Sequence, residues 1–405
     1  MPFLGHCTRS PHIRSNHRPW QEIHRRLGRL PGLVDCFRMR RGSFPVPRAA
    51  LQSVVRIQSA TSHWPEGGIM PQPGEAGRNE YRPMTTAPDD HNLLTVGLAQ
   101  IAPIWLDRAA TLAKVNSYVE QAARQGCQLV AFGEALVPGY PFWLERTDGA
   151  RFNSALQKTI FAEYATQAVQ PEAGHLDQLR ATAASHRVAI YLGCVERAVD
   201  RGGHSLYCSL IFIDQRGEIG SVHRKLMPTY EERLVWSGGD GHGLRTHPLR
   251  GFCVGGLNCW ENWMPLPRAA LYALGEDLHV AVWPGGIHNT RDITRYIALE
   301  SRSYVASVSG LMRREDIGAS SAWREMVAVS SPEVLASGGS CVAGPDGEWL
   351  VAPSGPVENL FVTTIDHRRV LEERQNFDPS GHYSRADVTR LEVNRRRQNV
   401  VNLSE

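Results

Sequence analysis

The sequence predicts an α/β protein, a single domain of two packed mixed sheets flanked by helices. Short apolar runs alternate with longer amphipathic ones from residue 92 onward, the rhythm of strands interleaved with helices. Some neighbouring runs are joined by tight turns and others by helix-length segments, so the sheets must combine antiparallel and parallel pairs. At 405 residues and 42% hydrophobic composition, the chain can bury a large core.

The elements follow in order. LLTVGLAQI (93–101) reads as a buried strand, Ala109 to Arg124 as a helix, and CQLVAF (127–132) as a second strand. A helix at about 174–187 leads into VAIYLGCVE (188–196) and LYCSLIFID (206–214). QRGE (215–218) supplies a tight turn into EIGSVHR, so this pair is a hairpin. GFCVGGLN (251–258) precedes a helix-like spacing in WENWMPLPRAALYALGE that includes Met264, Ala269, Leu271 and Leu274. HVAVWPG (279–285), GGSCVAGPDGEWLVAP (338–353) and ENLFVTTID (358–366) complete the strands, and HRRVLEERQ (367–375) reads as a short helix.

Two segments stand apart from the folded-domain candidate at 92–376. Residues 1–60 carry eleven Arg against two acids, Glu22 and Asp35, with no persistent period, a composition that cannot bury enough apolar surface to fold alone. Arg-rich and acid-poor also describes a transit peptide. The simpler expectation for residues 1–91 is a disordered extension, or spurious upstream sequence ahead of a start at Met70 or Met84. Residues 377–405 are polar and broken, and are expected to form an interface or stay loose; Arg395, Arg396 and Arg397 there are three arginines on a solvated tail.

Composition excludes several classes. A net charge of +3 offers no global attraction to nucleic acid or to an acidic membrane. No run of about 18 apolar residues predicts a membrane span. Eight cysteines without a CxxC pair or a Cys/His cluster suggest reduced thiols in a cytoplasmic setting and no zinc site.

Three residues each follow the carboxyl end of a predicted strand, where ligand crevices of open α/β sheets lie: Glu134, Lys225 and Cys259. Of 44 basic residues only three are Lys, at 114, 158 and 225. Lys114 and Lys158 fall on helix-like surfaces, whereas Lys225 stands beside Arg224, whose planar guanidinium cannot replace a compact, tunable ammonium. Glu134 sits in the apolar stretch FGEALVPGYPFW, where a carboxylate must pair, or else be raised in pKa and become available as a general base. Cys259 follows GGLN and precedes an apparent helix, an arrangement like a nucleophile elbow with Cys in place of Ser. Burial as a small hydrophobe is the alternative for any free Cys, and it suits Cys127, Cys194, Cys208, Cys253 and Cys341, all inside apolar strands.

Glu134 in AFGEALVPGYP, Lys225 in HRKLMPTYEERLVW and Cys259 in NCWENWMPL resemble, in order and context, the signature blocks of the nitrilase family. SYVASVSGLM (303–312) and VAVWPG (280–285) resemble later blocks, and the likeness spans about residues 93–376. The resemblance implies a four-layer αββα sandwich with Glu134 as base, Lys225 as stabiliser of the tetrahedral species and Cys259 as nucleophile. Glu232 becomes the second carboxylate by the same match, with Glu231 adjacent to it. Tyr140, Trp143, Trp260 and Glu261 become candidates for the substrate pocket, with Phe142 and Trp263 close by, although such aromatics serve equally well as core or interface.

The family implies a nitrile hydrolysed to its acid and ammonia through a thioimidate and a thioester, without metal or organic cofactor. CWEN followed by MPL looks more like true nitrilases than amidases, and the aromatics suggest an arylaliphatic or aromatic nitrile. Cyanide hydratases or dihydratases and aliphatic amidases share the three residues and remain alternatives. So does a silent homologue acting as an oligomeric scaffold, against which the intact triad argues. A papain-like protease would require a His partner, and His242, His247 and His288 occur in no matching block. The family further implies a homo-oligomer, a dimer extending into a spiral.

Overall fold

A computed structural model describes residues 92–401 apart from 319; the expectations for residues 1–91 lie outside the described residues. The first sheet contains β1 (Leu93–Gln100), β2 (Leu129–Phe132), β3 (Ala189–Arg197), β4 (Leu206–Ile213), β5 (Ile219–Arg224) and β14 (Asn359–Asp366), in the order β14-β1-β2-β3-β4-β5. The second contains β6 (His247–Leu249), β7 (Phe252–Asn258), β8 (Leu278–Trp283), β9 (Tyr304–Ser309), β12 (Cys341–Ala343) and β13 (Trp349–Val351), in the order β13-β12-β9-β8-β7-β6. In each sheet three central strands run parallel and the outer ones antiparallel. A two-stranded ribbon pairs β10 (Leu311–Arg313) with β11 (Val334–Ser337).

Side-chain alternation builds the layers. Leu94, Val96 and Leu98 of β1 join Leu210, Phe212, Val254, Val280 and Val308 in a core between the two sheets. The opposite face of the first sheet, with Val130, Ile190, Leu192 and Ile211, packs on helices α1 (Arg108–Arg124) and α3 (Asp177–His186) through Val115, Val119, Leu179 and Ala183. On the second sheet Ala281, Trp283 and Val305 meet Ile293 and Ile297 of α5 (Ile287–Ser301), and Leu257 meets Leu271 of α4 (Pro265–Ala273). This is the expected four-layer αββα sandwich. Strands buried on both faces explain why the sequence shows continuous apolar runs.

Helix α1 follows from an Asp107 side chain that accepts from the Ala110 N–H and from burial at positions 111, 112, 115, 119 and 122. The sequence pattern passes over α2 (Ala155–Gln167), α5 and α6 (Ala322–Ser330). α2 buries only Ile160 and Tyr164, so its apolar stripe is faint, whereas α5 buries Thr290, Thr294 and Ser301 beside Ile293 and Ile297, which mixes polar residues into its inward face. The helix-like run after Cys259 is two pieces: a 3-10 turn, Cys259–Trp263, and α4. Met264, ahead of Pro265, is held extended at φ −78° and ψ 118°, as a residue preceding proline prefers. The last helix, α7 (His367–Arg374), leads into residues 377–401, which have neither helix nor strand. These fasten to the main body where Arg397 pairs with Asp240 at 3.0 Å and the Gln398 N–H donates to the same carboxylate at 3.0 Å.

Candidate active site

The two sheets bring the carboxyl ends of β2, β5 and β7 together. Glu134 follows β2, and its N–H donates across to the Trp283 carbonyl of the second sheet at 3.1 Å. Lys225 directly follows β5; its N–H donates to the Cys208 carbonyl at 2.7 Å and its own carbonyl accepts from Gly239 at 2.8 Å. Cys259 directly follows β7 and adopts a left-handed φ of 46°, a conformation that non-glycine residues rarely hold unless the surroundings enforce it. One carboxylate oxygen from each of Glu134 and Glu232 and the Cys259 sulfur all lie within 4.8 Å of one another.

Lys225 is completely buried, and its ammonium donates to Glu134 Oε1 at 2.8 Å and to Glu232 Oε2 at 2.7 Å. The Trp236 ring lies 5.9 Å from Nζ, within cation–π range. Burial disfavours the Lys225 charge, but Glu134, Cys259 and Glu232 outweigh it and hold the pKa well above the usual lysine value. Two carboxylates and a thiol at this spacing resemble a cation site, yet the ammonium already bridges both carboxylates and supplies the positive charge there.

Glu134 is the group most altered by its setting. Burial pushes its carboxyl up to about 7, against the opposing pull of Lys225 and with further upward push from Glu232. Its Oε1 accepts from Lys225 and, at 3.4 Å, from the Cys208 thiol, while Oε2 has no partner among the described residues. Burial also raises the Cys259 thiol, reinforced by Glu134; Lys225 and the Trp260 N–H, which donates to the sulfur, oppose the rise. Cys259 is therefore a thiol beside a carboxyl raised to about 7.

Glu232 is placed by a capping box. It stands in a 3-10 turn, Tyr230–Leu234, and its Oε2 accepts from the Thr229 N–H at 2.6 Å as well as from Lys225. Oε1 accepts from the Tyr140 hydroxyl at 2.9 Å. Of the two adjacent acids, Glu232 is the one that faces the cluster, and Tyr140 braces it.

The other pocket candidates go elsewhere. Trp143 is buried in an aromatic cluster, its ring 4.6 Å from Tyr164 and 6.2 Å from Trp105, so its indole serves packing. The Trp260 side chain is 54% exposed while its backbone meets the sulfur. Glu261 is buried with Oε1 accepting from the Leu226 N–H at 2.7 Å and Oε2 from the Asn258 N–H at 3.0 Å, and His223 Nε2 lies 3.1 Å away. Those bonds tie the Cys259 elbow to the segment after Lys225, a fastening role in place of the expected contact with substrate. Burial pushes the Glu261 carboxyl up, but His223 and the two backbone amides outweigh it and hold the carboxyl below its usual range.

A second buried chain supports the elbow from the helix side. Glu276 Oε1 lies 2.9 Å from His279 Nδ1, His279 Nε2 lies 2.7 Å from Asn262 Oδ1, and Asn262 Nδ2 donates to the Cys259 carbonyl at 2.8 Å. The sequence contains a usable signal for it, a lone His in the apolar strand HVAVW. Cys208 left no such signal, because a thiol in an apolar strand looks like filler.

Comparison with known proteins agrees with this arrangement. The profile of the carbon-nitrogen hydrolase family matches residues 95–375. The chain is 35% identical over 304 residues to a protein named nitrilase 2 from an unknown prokaryotic organism, covering 75% of this chain and 93% of that one. It is 31% identical over 329 residues to an aliphatic nitrilase of Rhodococcus rhodochrous, covering 77% and 85%. Among solved structures, a carbon-nitrogen hydrolase from Helicobacter pylori superposes with a TM-score of 0.53 over 73% of this chain and 96% of that one, at 18% identity, a likeness of fold. With a family profile spanning most of its length and nitrilases among its relatives, the chain belongs to the nitrilase branch of the carbon-nitrogen hydrolases and is a hydrolase of carbon–nitrogen bonds.

Proposed function

We propose that the protein hydrolyses an organic nitrile to its carboxylic acid and ammonia, with Cys259 as nucleophile, Glu134 as base and acid, and Lys225 as stabiliser of developing negative charge. The observation that carries this reading is the division of labour on Glu134: Oε1 is held by Lys225 and Cys208, and Oε2 has no partner among the described residues, in a cluster shared with Cys259. Oε2 takes the thiol proton while sulfur bonds to the nitrile carbon and one C–N π bond breaks. The proton passes to nitrogen, giving a thioimidate. A first water adds and ammonia departs, leaving a thioester; a second water, deprotonated by Glu134, releases the acid and restores the thiol. Lys225 and the Trp260 N–H offset charge on nitrogen or oxygen at each addition. Glu232, braced by Tyr140, positions the ammonium.

The finer expectation, an arylaliphatic or aromatic nitrile, is supported by Tyr140 at the cluster, while Trp143 and Trp260 lend it nothing. The homo-oligomer remains part of the proposal, supported by Leu266, Tyr296 and Leu299 exposed on α4 and α5. The test is acid and ammonia release from phenylacetonitrile, benzonitrile, an aliphatic dinitrile, cyanide and phenylacetamide. Acid from a nitrile supports the reading. Turnover of the amide alone moves the enzyme to amidase chemistry, formamide from cyanide moves it to the hydratases, and silence across the panel favours a scaffold.

A further inference from the structure

Asn258, the residue before the nucleophile, is fully buried and has a role that capping alone does not explain. Asn258 and Glu261 have the arrangement of a capping box: Glu261 Oε2 accepts from the Asn258 N–H at 3.0 Å, and the Asn258 amide oxygen faces the Glu261 N–H. The facing N–H and the Cys208 thiol, 4.0 Å from Oδ1, set which end of the amide is oxygen, since a flipped group would turn NH2 toward two donors. Nδ2 is consequently committed to one direction, and there it meets no acceptor among the described residues. A buried donor left in this state is uncommon and calls for a reason.

Its direction supplies the reason. Alternate residues of β7 face the other sheet: Phe252 and Val254 lie in the inter-sheet core, and a Cβ on Gly256 would meet Leu210 of β4. Asn258 continues that series, with Oδ1 4.0 Å from the Cys208 sulfur, which in turn donates to Glu134. The amide thus sits on the floor of the catalytic cluster, and the cluster holds a second unsatisfied polar atom, Glu134 Oε2. One is a donor and the other an acceptor, among the described residues, and the Cys208 sulfur lies beside both side chains.

We propose that Asn258 Nδ2 is a preorganised hydrogen-bond donor to the anionic atom formed when Cys259 adds to its substrate, a side-chain contribution to the anion site beside Lys225 and the Trp260 N–H. The assignment rests on the catalytic roles given above to Cys259 and Glu134. A donor fixed before substrate arrives needs no reorganisation as charge develops, which is why such groups act on the transition state more than on ground-state binding.

The test separates this role from capping. Asn258→Asp and Asn258→Ser both retain an oxygen that can accept from the Glu261 N–H, and both lack the amide donor. A simple aldehyde such as phenylacetaldehyde adds reversibly to the thiol: the sulfur–carbon bond forms, the carbonyl π bond breaks, and the thiol proton moves to the oxygen. Its affinity is read as protection of Cys259 from iodoacetamide, and the unprotected alkylation rate reads the placement of the sulfur. Both variants are expected to lose at least about tenfold in aldehyde affinity, with the unprotected rate within about twofold of wild type; on a substrate that turns over, kcat falls by about 10- to 100-fold at nearly constant KM. Unchanged aldehyde affinity in either variant would overturn the assignment. So would a parallel fall in the unprotected rate, which would make Asn258 a positioning residue of the elbow, or an absence of aldehyde protection in wild type. Neither measurement needs nitrile turnover, so failure of the nitrilase reading and failure of this proposal are told apart.

Discussion

Lys225 Nζ donates to Glu134 Oε1 at 2.8 Å, and with the Cys208 thiol it occupies that oxygen and leaves Oε2 without a partner among the described residues. A second contact, 2.7 Å to Glu232, prevents the ammonium from following a proton-loaded Glu134. Lys225→Met therefore leaves two carboxylates buried together without their cation. Stability is expected to fall by about 3–5 kcal/mol, measured by denaturant unfolding, and activity to fall below detection. Lys225→Arg is expected to restore little, because a planar guanidinium does not fit a site fully closed around a point charge.

The Glu134 carboxyl, pushed up to about 7 by burial, sets the pH dependence of the nucleophile. The rate of Cys259 alkylation by iodoacetamide is expected to rise with pH through about 7 in wild type and to lose that step in Glu134→Gln. The stability consequence has a definite sign. A carboxyl raised in the folded state contributes stability below its ordinary value near 4.5, and this is lost as pH rises through about 7. Unfolding midpoints measured from pH 4 to 8 are expected to decline over that window in wild type and to flatten in the Gln variant.

Behind the elbow, His279 orients Asn262, and Asn262 holds the Cys259 carbonyl while that residue keeps its left-handed φ of 46°. His279→Phe leaves the Glu276 carboxylate and the Asn262 amide oxygen short of a partner, at a cost of about 1–3 kcal/mol each. Displacement of the sulfur by an ångström is expected to lower kcat by about 100-fold with KM nearly unchanged. A thermal midpoint that falls while kcat per folded enzyme is preserved would limit His279 to packing.

Glu261→Gln tests the fastening between elbow and Lys225 loop. A neutral amide has one oxygen for two backbone N–H groups that Glu261 now satisfies separately at 2.7 and 3.0 Å. Loss of one bond is expected to slow Cys259 alkylation by about tenfold, with stability reduced by about 1–3 kcal/mol.

The sequence exposes the parts of this account that depend on chain direction. Glu134, Lys225 and Cys259 are legible because each stands at a strand terminus, and a rare Lys beside Arg224 draws the eye. Their convergence is a property of two sheets packed face to face, which no linear spacing encodes. Trp143 and Trp260 show the limit: closeness in sequence to a catalytic residue says nothing about which way an indole turns, and one entered the core while the other faced solvent. Glu261 looked like a neighbour of the pocket because its hydrogen-bond partners, His223 and Leu226, lie far from it in the chain. Helix α2 escaped because it buries only Ile160 and Tyr164, and α5 because buried Thr290, Thr294 and Ser301 stand where periodicity seeks Leu.

The most direct test of the central claim is intact-protein and peptide mass spectrometry after acid quench of enzyme turning over a nitrile that gives acid in the panel. A covalent acyl or imidoyl adduct on the Cys259 peptide, absent in Cys259→Ala together with all acid release, is the predicted result. Acid production that persists in Cys259→Ala, or an adduct on another cysteine such as Cys208, would contradict the account.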